Sequence, residues 1–315
     1  MEKPFLFGQP PARRGPRLLA KVAAVSTTVA VALSVTLVLV ERAWAQGTPG
    51  PAPSGVGTGT PVRPSDEALK GVTDLGRKIA SYHEGIARCR AALKAQRADL
   101  EDARAVMMDR NGVQHVVFMR QETGPNDSRP WMLVADAVFQ PKAGEVASLQ
   151  VIDPSKAAPV DAAAFLRALE SARAGATTSA HLTPPYIEAA FKEKSNGAYT
   201  VYLQAKPDGA RMVRFGADVL VRVGADGSAL AEVRPLHDAT VNVQVPAKGG
   251  AEPTLHSHGT GDLPTETDIT TVLEHPTLAP HLVLTPRYMF RIESDGSITY
   301  IGPNSVPPVP GGGAH

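Results

Sequence analysis

Residues Ala198–Pro235 read AYTVYLQAKPDGARMVRFGADVLVRVGADGSALAEVRP. Four short runs alternate apolar and polar residues, which puts the apolar set on one face of an extended chain. Pro207-Asp208-Gly209 separates the first pair of runs, and Asp226-Gly227 separates the last pair. Asp-Gly between alternating runs is a strong hairpin signal, because both turn residues must tolerate a positive φ. The stretch therefore predicts an antiparallel meander, with Pro207-Asp208-Gly209 turning the first strand into the second.

The same texture extends both ways. Downstream, ATVNVQVP is a further strand, and HLVLTP and YMFRIES lead through Asp295-Gly296 into SITYIG. Upstream, VQHVVFMRQ, WMLVADAVFQ and GEVASLQVID are strand-like, and their order is faintly repeated in the 198–235 meander, as a duplicated β unit would be. Between the two sets, DAAAFLRALESARA reads as a helix capped by Asp161, and PPYIEAAFKEKS as a short second helix. The fold class is α+β: an antiparallel, hairpin-rich sheet with a few packed helices, preceded by a long N-terminal amphipathic helix.

That first helix is expected over 65–108. Ser65 is a natural N-cap with Asp66 and Glu67 behind it. Val72, Leu75, Ile79, Tyr82, Ile86, Cys89, Leu93, Leu100 and Met107 fall at three- and four-residue steps that lapse at Gln96 and Ala103. Such a stripe either lies on the chain's own sheet or forms a dimerising seam with a second copy. In a parallel dimer the seam would bring two Cys89 thiols together. Gly71, Gly76 and Gly85 weaken the helix by about 1 kcal/mol each relative to Ala. Asn111-Gly112 is a turn signal that closes the helical part.

The N-terminus sets the expected compartment. Arg13, Arg14, Arg17 and Lys21 precede the apolar run Val22–Val40, and Ala43 and Ala45 stand in the arrangement that a signal peptidase reads. Residues 1–45 are a signal peptide cleaved near Ala45, or a signal anchor, since the run is long enough to span a bilayer. Residues 46–64 form a Gly/Pro linker and 303–315 a loose tail. A β-rich segment is expected over 109–160 and an α+β domain over 161–302. The chain is thus expected to be exported to the periplasm or envelope, touching the membrane only through an uncleaved N-terminal segment.

Composition narrows the classes further. A formal net charge of +1 over 315 residues provides no electrostatic pull toward nucleic acid. The single cysteine excludes a disulfide scaffold. No Gly-rich phosphate loop or CxxC pair is present.

Chemistry concentrates at Leu255–Ile269, LHSHGTGDLPTETDI. If Leu255–His258 ends a strand, His256 and His258 point to the same face, within reach of one ion. Pro264-Thr265 opens a helix whose first turn returns Asp268 to that spot. Two histidines and an aspartate suit Zn²⁺ with a fourth position left for water. Thr265-x-x-Asp268 is also a capping box, which needs no metal.

At these residues the sequence resembles the JAMM/MPN (JAB-like) metallopeptidases. Their signature is His-x-His-Pro followed by Ser-x-x-Asp, with a glutamate on an earlier strand. The resemblance implies that His256, His258 and Asp268 are zinc ligands and that Thr265 stands in for the serine that steadies the reaction intermediate. It also implies a peptide or isopeptide hydrolase. Gly259 replaces the family's proline, and the His258–Asp268 interval is one residue short. No clear equivalent of the general-base glutamate exists: Gln204 cannot take a proton, Glu232 is close in sequence, and Glu188 and Glu193 fall on an expected helix. His237-Asp238 would be a base pair of a triad, but no GxSxG elbow serves it. His275 sits at a helix end, and His281 opens a strand, either as a structural residue or as a replacement ligand. Two functions therefore stand side by side: a zinc-dependent hydrolase, and a non-catalytic envelope protein that binds or assembles, as a homodimer, through the 65–108 helix.

Overall fold

The computed structural model describes residues 63–123, 129–153, 158–179, 185–206, 211–246 and 253–305. The expected signal segment, most of the expected linker and tail, and the expected turn at Pro207-Asp208-Gly209 lie outside the described residues. Helices and antiparallel strands together make the α+β class expected. Among the described residues no helix is long and apolar enough to cross a membrane.

Helix α1 spans Asp66–Gln96, and the Ser65 side chain accepts the Ala68 N–H at 3.1 Å. The helix ends well short of Met108. A 3-10 turn over Ala98–Leu100 follows, and then strand β1 over Arg104–Arg110. Met107 fits the helical stripe by spacing, yet it sits in a strand whose pairing partner decides its conformation. Asn111 (φ 57°) and Gly112 (φ 81°) form the two-residue turn into β2 (Val113–Gln121). Two consecutive positive φ angles are the signature of a hairpin turn, so Asn111-Gly112 joins two strands rather than ending a helix.

Strands β1, β2, β3 (Trp131–Gln140) and β4 (Glu145–Val151) form an antiparallel sheet in that order. Helix α2 follows at Val160–Ser179, starting one residue before the expected Asp161 cap. Next comes β5 (Tyr186–Lys192), where a second helix was expected. Its helix-forming Glu and Ala residues are overridden by seven antiparallel pairings with β6 (Tyr199–Ala205). The second sheet runs β5-β6-β8-β9, with β8 at Val219–Val223 and β9 at Leu230–Pro235. The Asp226-Gly227 hairpin joins β8 to β9 as read. The meander is broken earlier, however. Strand β7 (Met212–Phe215) leaves the sheet and pairs with β10 (Val241–Gln244), so β6 neighbours β8.

A helix followed by a four-stranded antiparallel sheet thus occurs twice. The two copies share their cores. Alternating residues of β1 and β2 feed opposite faces: Val106, Met108, Val117 and Met119 pack with α2, whereas Met107, Val116 and Phe118 pack with α1. Strands β6 and β8 divide likewise, with Val201, Leu203 and Val221 on the α2 side and Tyr202 and Leu220 on the α1 side. Residues before and after position 160 therefore belong to the same two cores. The stripe of α1 lies on the chain's own strands: Ile79, Tyr82, Cys89 and Leu93 are buried there. With Cys89 fully buried, a disulfide between copies would require that packing to open.

The remaining strands build a third core. Strands β11 (Thr254–Ser257), β12 (His281–Leu284), β13 (Tyr288–Ile292) and β14 (Ile298–Pro303) form a sheet in that order, with β11 and β12 parallel. Helix α3 (Glu266–Glu274) makes the crossover between them. Ile269 and Val272 of α3 pack on Phe215, Val283 and Phe290, and Leu69 of α1 joins this cluster. Helices α1 and α3 approach closely at Gly76, where the Thr270 hydroxyl donates to the Gly76 carbonyl at 3.1 Å.

Candidate metal centre

Strand β11 sets the first two side chains. His256 lies within it, and His258 extends the parallel ladder by donating its N–H to the Leu284 carbonyl at 2.7 Å. Two residues apart on extended chain, both rings point to one side, and their Nε2 atoms lie 2.9 Å apart. Phe215 stacks on the His256 ring at 4.4 Å and on His281 at 4.5 Å, which closes the apolar side of the site.

Asp268 arrives from the first turn of α3. Thr265 is the N-cap, and the capping box is complete: the Thr265 hydroxyl accepts the Asp268 N–H, and Asp268 Oδ2 accepts the Thr265 N–H at 2.7 Å. The cap does not use up the carboxylate. Its Oδ2 also lies 3.1 Å from His258 Nε2, and its Oδ1 lies 3.2 Å from His256 Nε2. The convergence expected of His256, His258 and Asp268 is present. Thr265 touches the site only from its edge, its hydroxyl 3.5 Å from His237 Nε2 and 2.9 Å from Thr267.

The fourth member is His237, just beyond β9. Its Nε2 is 2.9 Å from Asp268 Oδ1. The donor atoms of His237, His256, His258 and Asp268 all lie within 4.8 Å of one another. His237 does not work with Asp238, which instead accepts the Thr260 hydroxyl at 2.8 Å. That arrangement accounts for Gly259: a Cβ there would meet Asp238 Oδ2 at 2.5 Å. The clue to His237 in the sequence is density alone, since five of the nine histidines fall within 237–281. His281 is not a member of the cluster. It stands behind His256, its Nε2 2.7 Å from His256 Nδ1. His275 caps the end of α3.

All four donors are shut away from water. The side chains of His237, His256, His258 and Asp268 are 3%, 1%, 2% and 0% exposed. Burial would push the Asp268 carboxyl up, but the three surrounding imidazoles outweigh it and hold its pKa well below the usual carboxylate range. Burial lowers His256 to about 4 and holds His281 well below the ordinary histidine value. His237 moves the other way: burial opposes its charge, but Asp268 and then Asp218 and Asp238 raise it. Asp218, buried beneath His237, is pushed up to about 7 by desolvation. His237 Nδ1 has no hydrogen-bond partner, and Asp218 Oδ2 is 3.8 Å from it.

These residues fit a metal ion. A tetrahedral Zn²⁺ with bonds of 2.0–2.2 Å needs donors about 3.3 Å apart. The closest pairs here stand at 2.9–3.2 Å, so a small outward movement would admit the ion. Three imidazole nitrogens and one carboxylate oxygen form a borderline donor set suited to zinc and its neighbours, not to calcium or magnesium. His237 Nδ1, unpaired and facing Asp218, is placed to donate to that acid once Nε2 is engaged.

The residues considered as general bases are occupied elsewhere. Glu188, on β5, pairs with Arg173, and Glu232 with Arg222 and Arg234. Glu193 accepts the Thr200 hydroxyl at 2.7 Å. Gln204 donates to the Thr267 carbonyl at 3.4 Å. No family model, curated protein or solved structure matches this chain. The class that fold and site define is an α+β protein with a buried His/Asp group able to hold a metal ion.

Proposed function

We propose that this is an exported, non-catalytic zinc protein, in which one Zn²⁺ bound by His237, His256, His258 and Asp268 fastens the β9–β10 connection, strand β11 and helix α3 together. The observation that supports this reading is the donor set: four protein groups, each nearly inaccessible, bring their donor atoms within 4.8 Å of one another, enough to fill the four positions of a tetrahedral ion. Closed four-ligand sites stabilise folds, whereas catalytic zinc sites keep a position open. Hydrolysis of a peptide or isopeptide bond, which the JAMM/MPN resemblance implies, needs an open position and a nearby carboxylate base. With His237 as the fourth ligand no position would be left open. Glu188, Glu193 and Glu232 are paired elsewhere, and the nearby acid Asp218 lies against His237 Nδ1, 3.8 Å away, on the opposite edge of the ring from the donor nitrogen. Export rests on the basic and apolar N-terminal run and the small residues at Ala43 and Ala45.

Metal analysis of the chelator-stripped and reconstituted protein tests the proposal. We expect one zinc per chain in the wild type and none in a His256→Ala, His258→Ala double variant. Equal zinc in the two proteins would remove the reading. Peptidase activity that disappears with the double variant would replace it with the hydrolytic one.

A further inference from the structure

We propose that His281 and Thr254, which do not contribute to the donor cluster, are positioning residues that fix which nitrogen of His256 is offered to the ion. The inference rests on the zinc-holding reading above. It follows from the direction of a chain of hydrogen bonds.

The chain begins at a group with no choice. The Leu278 carbonyl can only accept, and Thr254 Oγ1 lies 2.6 Å from it, so the one hydroxyl proton of Thr254 points there. Thr254 Oγ1 is also 2.6 Å from His281 Nδ1 and must accept, so His281 Nδ1 carries a proton. Neither ring nitrogen of His281 is bonded to an acid, and the residue is fully buried against Phe215, so the ring is neutral and its Nε2 bears a lone pair. That lone pair faces His256 Nδ1 at 2.7 Å, which must therefore be the protonated nitrogen of His256.

The remaining nitrogen of a neutral His256, Nε2, then has only a lone pair to present. It faces Asp268 Oδ1 at 3.2 Å, an acceptor opposite an acceptor, and His258 Nε2 at 2.9 Å, which can give it a proton in the absence of metal. A cation between the two acceptors turns that repulsion into coordination. Without the relay, His256 could place its proton on Nε2 and satisfy Asp268 by an ordinary hydrogen bond. Thr254 and His281 thus disfavour the metal-free hydrogen bond from His256 to Asp268 and leave the His256 Nε2 lone pair free for the ion. Strand register delivers them together, since Thr254 is the residue opposite His281 across the parallel β11–β12 pair.

The test uses the full chain, chelator-stripped and then titrated with zinc against a chromophoric competitor. Thr254→Val keeps the shape of the side chain and removes the hydroxyl, and Thr254→Ser restores it. We expect Thr254→Val and His281→Phe to weaken zinc binding by about tenfold to a hundredfold, the usual effect of losing a partner behind a metal-bound histidine. Thr254→Ser should regain most of the loss. Independently of any variant, ¹⁵N spectra of the zinc-loaded wild type should show His256 protonated at Nδ1 and metal-bound at Nε2. Wild-type affinity in folded Thr254→Val and His281→Phe, or the opposite tautomer at His256, would overturn the inference while leaving the zinc site standing. Absence of zinc from the wild type would instead remove the site itself, and the inference with it.

Discussion

Asp268 serves two structures with one carboxylate: Oδ2 takes the Thr265 N–H at 2.7 Å, and Oδ1 lies 2.9 Å from His237 Nε2. The capping box and the metal reading of this residue are therefore compatible, because the cap aims the acid while the histidines surround it.

Two substitutions separate these roles. Asp268→Asn keeps an oxygen that can accept the Thr265 N–H but loses the charge and the preferred ligand. It should fold and fail to hold zinc. Asp268→Ala should also fail to hold zinc, and should lose about a further 1 kcal/mol of stability with the hydrogen bond from the Thr265 N–H, the Thr265 cap itself remaining. Thermal unfolding of the two chelator-treated variants gives the difference.

Zinc should stabilise the wild type by mass action. At about 100 times the dissociation constant the gain is about 2.7 kcal/mol, which for a chain of this size raises Tm by about 5–10 °C. The imidazoles must be deprotonated to bind, and against its burial Asp268, Asp218 and Asp238 raise His237 above its ordinary value of 6.5, so the rise should already shrink as pH falls toward that value. Calorimetry with and without zinc at pH 7.5 and 5.5 measures both effects. A Tm shift that grows on acidification would contradict the ligand set.

The glycines of α1 should respond in opposite directions. A Cβ at Gly76 would stand 2.5 Å from Ile269 Cβ and 2.8 Å from the Glu266 carbonyl, whereas Gly71 has open space. Gly71→Ala should add up to about 1 kcal/mol of stability through helix propensity. Gly76→Ala should cost about 1–3 kcal/mol despite the same propensity gain, because α3 must shift. Zinc affinity should fall in Gly76→Ala alone, since α3 carries Asp268.

Cys89 provides a pH signature away from the metal. Burial raises its thiol from 9.0 to about 11. Between those values the unfolded chain releases a proton that the folded chain keeps, so this contribution is intact below pH 9 and lost as pH rises toward 11. Cys89→Ala should therefore lie closer in stability to the wild type at pH 10.5 than at pH 7. The native thiol should also resist alkylation until the protein unfolds. Rapid labelling of the folded protein would show the α1 stripe to be open.

Much of the local structure was legible in the sequence. Ser65 and Thr265 cap the helices as their residue types suggest, and Asp226-Gly227 and Asp295-Gly296 close their hairpins. What misled were segments whose own preferences lost to their partners. Arg104–Arg110 carries a helical spacing and Tyr186–Lys192 a helical composition, but each is a strand because a neighbouring strand pairs with it along its whole length. Strand β7 follows a turn signal and still leaves β6, since pairing with β10 places Val213 and Phe215 in the third core.

The amino-acid sequence by itself determined the α+β class, the caps, most of the strands and the trio His256, His258 and Asp268, because each rests on residues close together in the chain. Only the tertiary structure decided that His237 completes the site and that His281 stands behind it. Their partners lie 31 and 25 residues away. Which side chains meet across such intervals is set by strand pairing and by the approach of α3 to the third sheet. The physical reason is that residue type and spacing govern local conformation, whereas a coordination sphere is a property of where separate elements come to rest.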